Sequence, residues 1–114
     1  MKPKNETVVL DFVPELQEAL EKIEKAVYIP MGFGELTITS GKDGEHHGKP
    51  VKGDKLDPHY MGKAADLRTR MIPFQQRQTV LETIQEVVGP AFVVLWENRG
   101  KDADHYHVQY GHIA

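Results

Sequence analysis

The sequence predicts one α+β domain, a small antiparallel sheet with two main helices packed on it. Three observations lead there. The chain has 114 residues, the usual size for a single hydrophobic core. Two stretches carry apolar residues at helical spacing, and the remaining apolar runs are short, β-prone and separated by turn residues.

Taken in order, residues 7 to 13 are β-prone, and Pro14 suits the first turn of a helix, where its missing N–H costs nothing. Leu16, Ala19, Leu20, Ile23, Ala26 and Val27 then recur on one helical face. That helix stops before Pro30, and Gly32 and Gly34 turn the chain into a strand around Glu35 to Thr39. From about 40 to 58 the composition shifts to Gly, Lys, Asp, His and Pro, with Val51 and Leu56 the aliphatic exceptions. A loop of that length in a compact domain is usually functional or disordered, which makes it a candidate site wall. Residues 64 to 69 read as a short strand. Pro73 opens a second helix with Phe74, Val80, Leu81, Ile84, Val87 and Val88 on its buried side, closed by Gly89-Pro90. Ala91 to Trp96 reads as a central strand buried on both faces, and Asp104 to Tyr110 as a final strand paired antiparallel after a polar turn.

Composition excludes several classes of function. A net charge of -3 leaves no basic excess to track a phosphate backbone or an anionic bilayer, so neither nucleic acid nor membrane is an expected partner. The absence of cysteine removes disulfides, thiolate metal sites and cysteine nucleophiles together. The apolar segment Val8 to Val13 is short and interrupted by Asp11, unlike a secretory signal, so cytoplasmic synthesis is expected. The expected state is a monomer.

The histidines carry the functional signal. Of six, all but His112 fall within Gly44 to Asp66 and Asp102 to Gly111. His105 and His107 share a parity on the final strand, where they meet a ligand together or divide roles. His59, in the loop, and Asp66, on the next strand, converge if Gly62 and Ala64 let the backbone pass close to a metal. Two imidazoles and a carboxylate suit zinc with one position left open for water. Such a water has a pKa near 7, and a neighbouring carboxylate can accept its proton, which suffices for peptide hydrolysis.

The run His59-Tyr-Met-Gly62-Lys-Ala64-Ala-Asp66 resembles the His-x-x-Gly-x-Ala-x-Asp motif of the zinc D-alanyl-D-alanine carboxypeptidase and L-alanyl-D-glutamate endopeptidase family, which includes phage endolysins and vancomycin-resistance dipeptidases. Asp104-His105-Tyr106-His107 resembles its second motif, Asp/Glu-x-x-His. The resemblance implies one zinc per chain on His59, Asp66 and His107, with Asp104 as the catalytic base. It also implies the fold shared with the hedgehog signalling domain and, as substrate, the stem peptides of peptidoglycan, cut by a carboxypeptidase or endopeptidase of the kind a phage or prophage uses for lysis. Two positions differ from the family pattern: Asp57 stands where serine is usual, and Lys42-Asp43 follows Ser40-Gly41 in place of an aromatic-arginine pair. Lys42, Arg68, His46, His47 and His105 are the candidates to meet substrate.

Blander readings stand beside these. Asp66 can pair with Arg68 or Arg70, Asp104 can be a turn residue, Trp96 can be core, and His46, His47 and His112 can be silent. At the level of the whole domain, the alternative to an enzyme is a zinc-stabilised binding or structural domain of the same fold.

Overall fold

The computed structural model describes residues 1–41 and 61–111. Its fold is α+β. A five-stranded sheet has the order β1-β2-β3-β5-β4, where β1 is Lys2–Pro3, β2 Thr37–Ser40, β3 Ala64–Arg68, β4 Phe92–Glu97 and β5 His105–Tyr110. Helices α1 (Pro14–Ile23) and α2 (Arg77–Val88) pack on one face. The sheet is mixed, not purely antiparallel: β1 runs parallel to β2, and the other three pairings are antiparallel.

The first strand lies earlier than the β-prone stretch suggests. Residues 7 to 13 form no strand, and Asn5 closes a turn over the start of the stretch, accepting from Thr7 N and, through its carbonyl, from Val8 N. Such side-chain turns compete with a sheet ladder for the same backbone groups. Pro14 does start α1, which buries Leu16, Ala19, Leu20 and Ile23. A π turn at Glu24–Tyr28 then adds a residue to the helical repeat. That rotates the buried face by one position, so Ala26 is exposed and Tyr28 is buried beside Val27. The Tyr28 hydroxyl donates to Arg68 O at 2.8 Å, tying the helix to the end of β3.

Phe74 is also exposed rather than buried. Pro73 leads into a short 3-10 turn, Phe74–Gln76, and the α-helix begins only at Arg77. The ring lies against Trp96, with centroids 5.4 Å apart.

Strand β4 is an edge and not the centre, because β5 folds back between it and β3. Phe92 and Val94 face the core, while Leu95 is 44% exposed. Its outer backbone edge is met in part by Gln85 of α2, which accepts from Val94 N and donates to Phe92 O.

The sheet's core face carries Ile38, Ala65, Leu67, Val94, Tyr106 and Val108. Strict alternation sends Asp66, Arg68, His105, His107 and Glu97 to the opposite face.

Gly62 has a packing task of its own. It lets the chain before β3 touch the N-terminal segment. Its φ is +75°, a Cβ there would stand 2.7 Å from Asp11 O, and Val13 N donates to Gly62 O. Gly62→Ala is expected to lose about 1–3 kcal/mol from conformation alone, with the backbone clash adding to it. Gly89→Ala is the control, since Gly89 has a φ of +84° with nothing within 4 Å of an added Cβ. Thermal melts should show the larger drop for Gly62→Ala, and equal drops would discard the close-approach argument.

Candidate metal centre

The register of β3, β5 and β4 builds the site. Asp66 stands opposite His107, and Arg68 opposite His105. On the other side of β5, Glu97 stands opposite His105 and Leu95 opposite His107. Cross-strand neighbours of this kind have Cβ atoms about 5 Å apart, so side-chain contact follows from pairing alone.

His107 Nδ1 lies 3.1 Å from Asp66 Oδ1, and its Nε2 lies 3.0 Å from Gln109 Oε1. Gln109 is held in that orientation by donating its amide to Gly111 O. Asp66 is 3% exposed and His107 9%. Burial disfavours the His107 imidazolium, but hydrogen bonds to Asp66 and Gln109, with the charges of Asp66 and Glu97, outweigh it and raise the pKa above the usual histidine value. A metal ion held by His107 would have to displace a proton from the ring.

His105 completes a second group on the same face. Its Nδ1 donates to Ala103 O at 2.7 Å, and its Nε2 lies 2.8 Å from Glu97 Oε1 and 3.5 Å from Asp66 Oδ2. Asp66, Glu97 and His105 each offer a ligand atom within 4.8 Å of the others. Asp66 therefore faces both histidines, one with each carboxylate oxygen. It pairs with them and not with Arg68 or Arg70. Nitrogen and oxygen donors of this kind are compatible with several divalent metal ions, zinc among them.

Asp104 points elsewhere. It immediately precedes β5, so alternation turns it away from the side of His105, toward the start of α2. Four donors meet its carboxylate. Thr69 Oγ1 and Trp96 Nε1 donate to Oδ1, at 2.5 and 2.9 Å, while Arg77 Nη1 and Gly100 N donate to Oδ2, at 2.9 and 2.7 Å. A carboxylate has about four acceptor positions, so the set is full. The side chain is 5% exposed. Burial alone would raise its pKa, but Thr69, Gly100, Trp96 and the Arg77 charge hold it below the ordinary carboxylate range. A carboxylate so committed is a poor proton acceptor for water, which departs from the expected role of base.

Of the residues singled out in the sequence, Asp66, His105, His107 and Arg68 share one face. His59, Lys42, His46 and His47 lie outside the described residues, as does most of the 40 to 58 loop. Trp96 belongs to the Asp104 cluster, with Arg99 stacked 4.5 Å over its ring. Glu97 is the member that sequence reading passed over. The signal was the hairpin: the last residue before the polar turn faces the first residue of the strand after it, which is His105.

Comparison with protein-family models, curated proteins and solved structures found no match for the chain.

Proposed function

We propose that the chain is a zinc-dependent peptidase acting on peptidoglycan stem peptides, with Asp66 and His107 as two ligands and His59 as the third. The observation that carries this reading is the buried Asp66–His107 pair, 3.1 Å apart on the sheet face opposite the helices. The paired sequence motifs support it from a second direction, and with them comes the proposal that the fold is of the hedgehog and D,D-peptidase kind. Zinc held there supplies an acidified water and a Lewis-acid contact to a carbonyl.

Glu97 is better suited than Asp104 to accept the proton. Its side chain is 45% exposed, and it lies on the same face as Asp66 and His105. His105 keeps that carboxylate in place through the 2.8 Å contact. Asp104 serves by fixing Trp96 of β4 and Gly100 within the β4–β5 turn, and so the start of β5.

The test is release of new amino groups from purified peptidoglycan by zinc-loaded wild type, by the chelated protein and by Glu97→Gln. Activity should vanish on chelation, return with zinc and fall about 100-fold or more in Glu97→Gln. A fully zinc-loaded wild type that releases nothing would make the domain a zinc-stabilised, non-catalytic one.

A further inference from the structure

Gln109 lies two residues past His107 on β5, on the same face of the sheet, and is only 4% exposed. Glutamine is usually left in water, so a buried one needs partners for both ends of its amide. Both ends are committed. Nε2 donates to Gly111 O at 3.2 Å, and Oε1 lies 3.0 Å from His107 Nε2. The Gly111 carbonyl is itself anchored, since Gly111 N donates to Ala91 O and the preceding Tyr110 N to Lys63 O.

These contacts run in one direction. A backbone carbonyl only accepts, so the amide turns its NH2 to Gly111 and its oxygen to the ring. That oxygen cannot donate, so the ring nitrogen facing it, Nε2, carries a hydrogen. The other ring nitrogen, Nδ1, faces the Asp66 carboxylate at 3.1 Å, a second acceptor. An imidazole between two acceptors is satisfied when both nitrogens are occupied, by two protons or by one proton and a metal ion. Of the two acceptors the carboxylate is the one that ligates zinc, so the metal side is Nδ1. His105 is set the opposite way round on the same face. Its Nδ1 donates to Ala103 O at 2.7 Å, which turns Nε2 toward Glu97 and Asp66. In both rings a neutral oxygen holds the far nitrogen, and the near one is presented to Asp66.

We propose that Gln109 is a positioning residue, which holds the Nε2 proton of His107 and so commits the opposite ring nitrogen, together with Asp66, to a metal ion. This rests on the metal part of the peptidase reading. A metal-bound histidine is usually oriented through its second N–H, and loss of the acceptor there costs about 10–100-fold in metal affinity. Gln109 acts through His107 and not on the metal itself.

The experiment compares wild type, Gln109→Met and Gln109→Glu. Methionine keeps the length and bulk of the side chain without a strong acceptor; glutamate keeps an oxygen for the ring and gives up the donor to Gly111. Both lose the Gly111 bond, so both should melt below wild type. Zinc affinity, read by competition with a chromophoric chelator, should separate them: about 10–100-fold weaker in Gln109→Met, and at least as tight as wild type in Gln109→Glu. Proton–nitrogen correlation spectra of the zinc-loaded proteins should show zinc on His107 Nδ1 and a slowly exchanging Nε2–H in wild type and Gln109→Glu. That proton should exchange rapidly in Gln109→Met, with the Nδ1–H of His105 unchanged as the internal control. Wild-type zinc affinity in Gln109→Met, equal weakening in both variants, zinc on His107 Nε2, or an Nε2–H that exchanges alike in wild type and Gln109→Met would each overturn the inference while leaving a metal site. A wild type that takes up no zinc rejects the metal reading beneath it. If Gln109→Met does not fold, Gln109→Glu decides: zinc affinity and the Nε2–H signal both kept support the role of Gln109, and loss of either overturns it.

Discussion

Asp104→Ala is expected to cost about 3–5 kcal/mol, the usual consequence of removing one partner from a buried ion pair. In a domain of this size that is a fall in melting temperature on the order of 15 °C or more. The variant leaves the Arg77 guanidinium, 14% exposed, without its counter-charge and the Trp96 indole N–H and Gly100 N without their acceptor, while the Thr69 hydroxyl keeps the carbonyl of residue 104. Asp104→Asn should recover little, because its amide group turns a donor toward donors. Arg77→Leu combined with Asp104→Leu should cost less than the sum of the single changes, since each single change leaves an unpaired charge that the double change does not. A melting temperature for Asp104→Ala within a few degrees of wild type would remove the structural role and return Asp104 to candidacy as the base.

The same cluster fixes an acid dependence. Asp104 is depressed in the folded state, so its contribution is complete above the unfolded value of about 3.9 and is lost as pH falls through the lower folded value. The gap in stability between wild type and Asp104→Ala should therefore narrow below about pH 4. Denaturant titrations at several pH values measure it, and a constant gap would mean that the carboxylate is not the group responsible.

Some of this was legible in the sequence and some was not, for separable reasons. Helix α1 and strand β5 follow from periodicity, and periodicity with pairing is what brings Asp66 and His107 together. The pattern says which residues share a face, but not which strand lies beside which. The apolar run of β4 reads as central, yet the hairpin to β5 leaves it at the edge with Leu95 half exposed. Likewise a single added residue in the π turn exchanges Ala26 for Tyr28 without any mark in composition. Asp104 shows the limit of motif reading. Spacing places it three residues before His107, but its role depends on Thr69, Arg77, Trp96 and Gly100, which come from four parts of the chain. Glu97 was missed for the converse reason: it has no motif, only a register partner.

Zinc should raise the melting temperature of the wild type and leave His107→Ala and Asp66→Asn unmoved. A ligand bound only by the folded state stabilises it by RT ln(1 + [L]/Kd), about 4 kcal/mol when free metal is a thousandfold above Kd. For a domain of this length that again corresponds to a shift on the order of 15 °C or more. Asp66 is the ligand common to both groups of candidate atoms, so its loss alone cannot say where the metal sits. The single changes at His107, His105 and Glu97 separate them. If the ion takes Asp66 with His107, then His107→Ala abolishes the shift while Glu97→Gln keeps most of it, because Glu97 acts on the proton and not on the metal. If the ion takes Asp66 with Glu97 and His105, the pattern inverts. Metal content by mass spectrometry on the same samples must agree with the melts, and a zinc shift that survives in Asp66→Asn would place the ion away from this face of the sheet altogether.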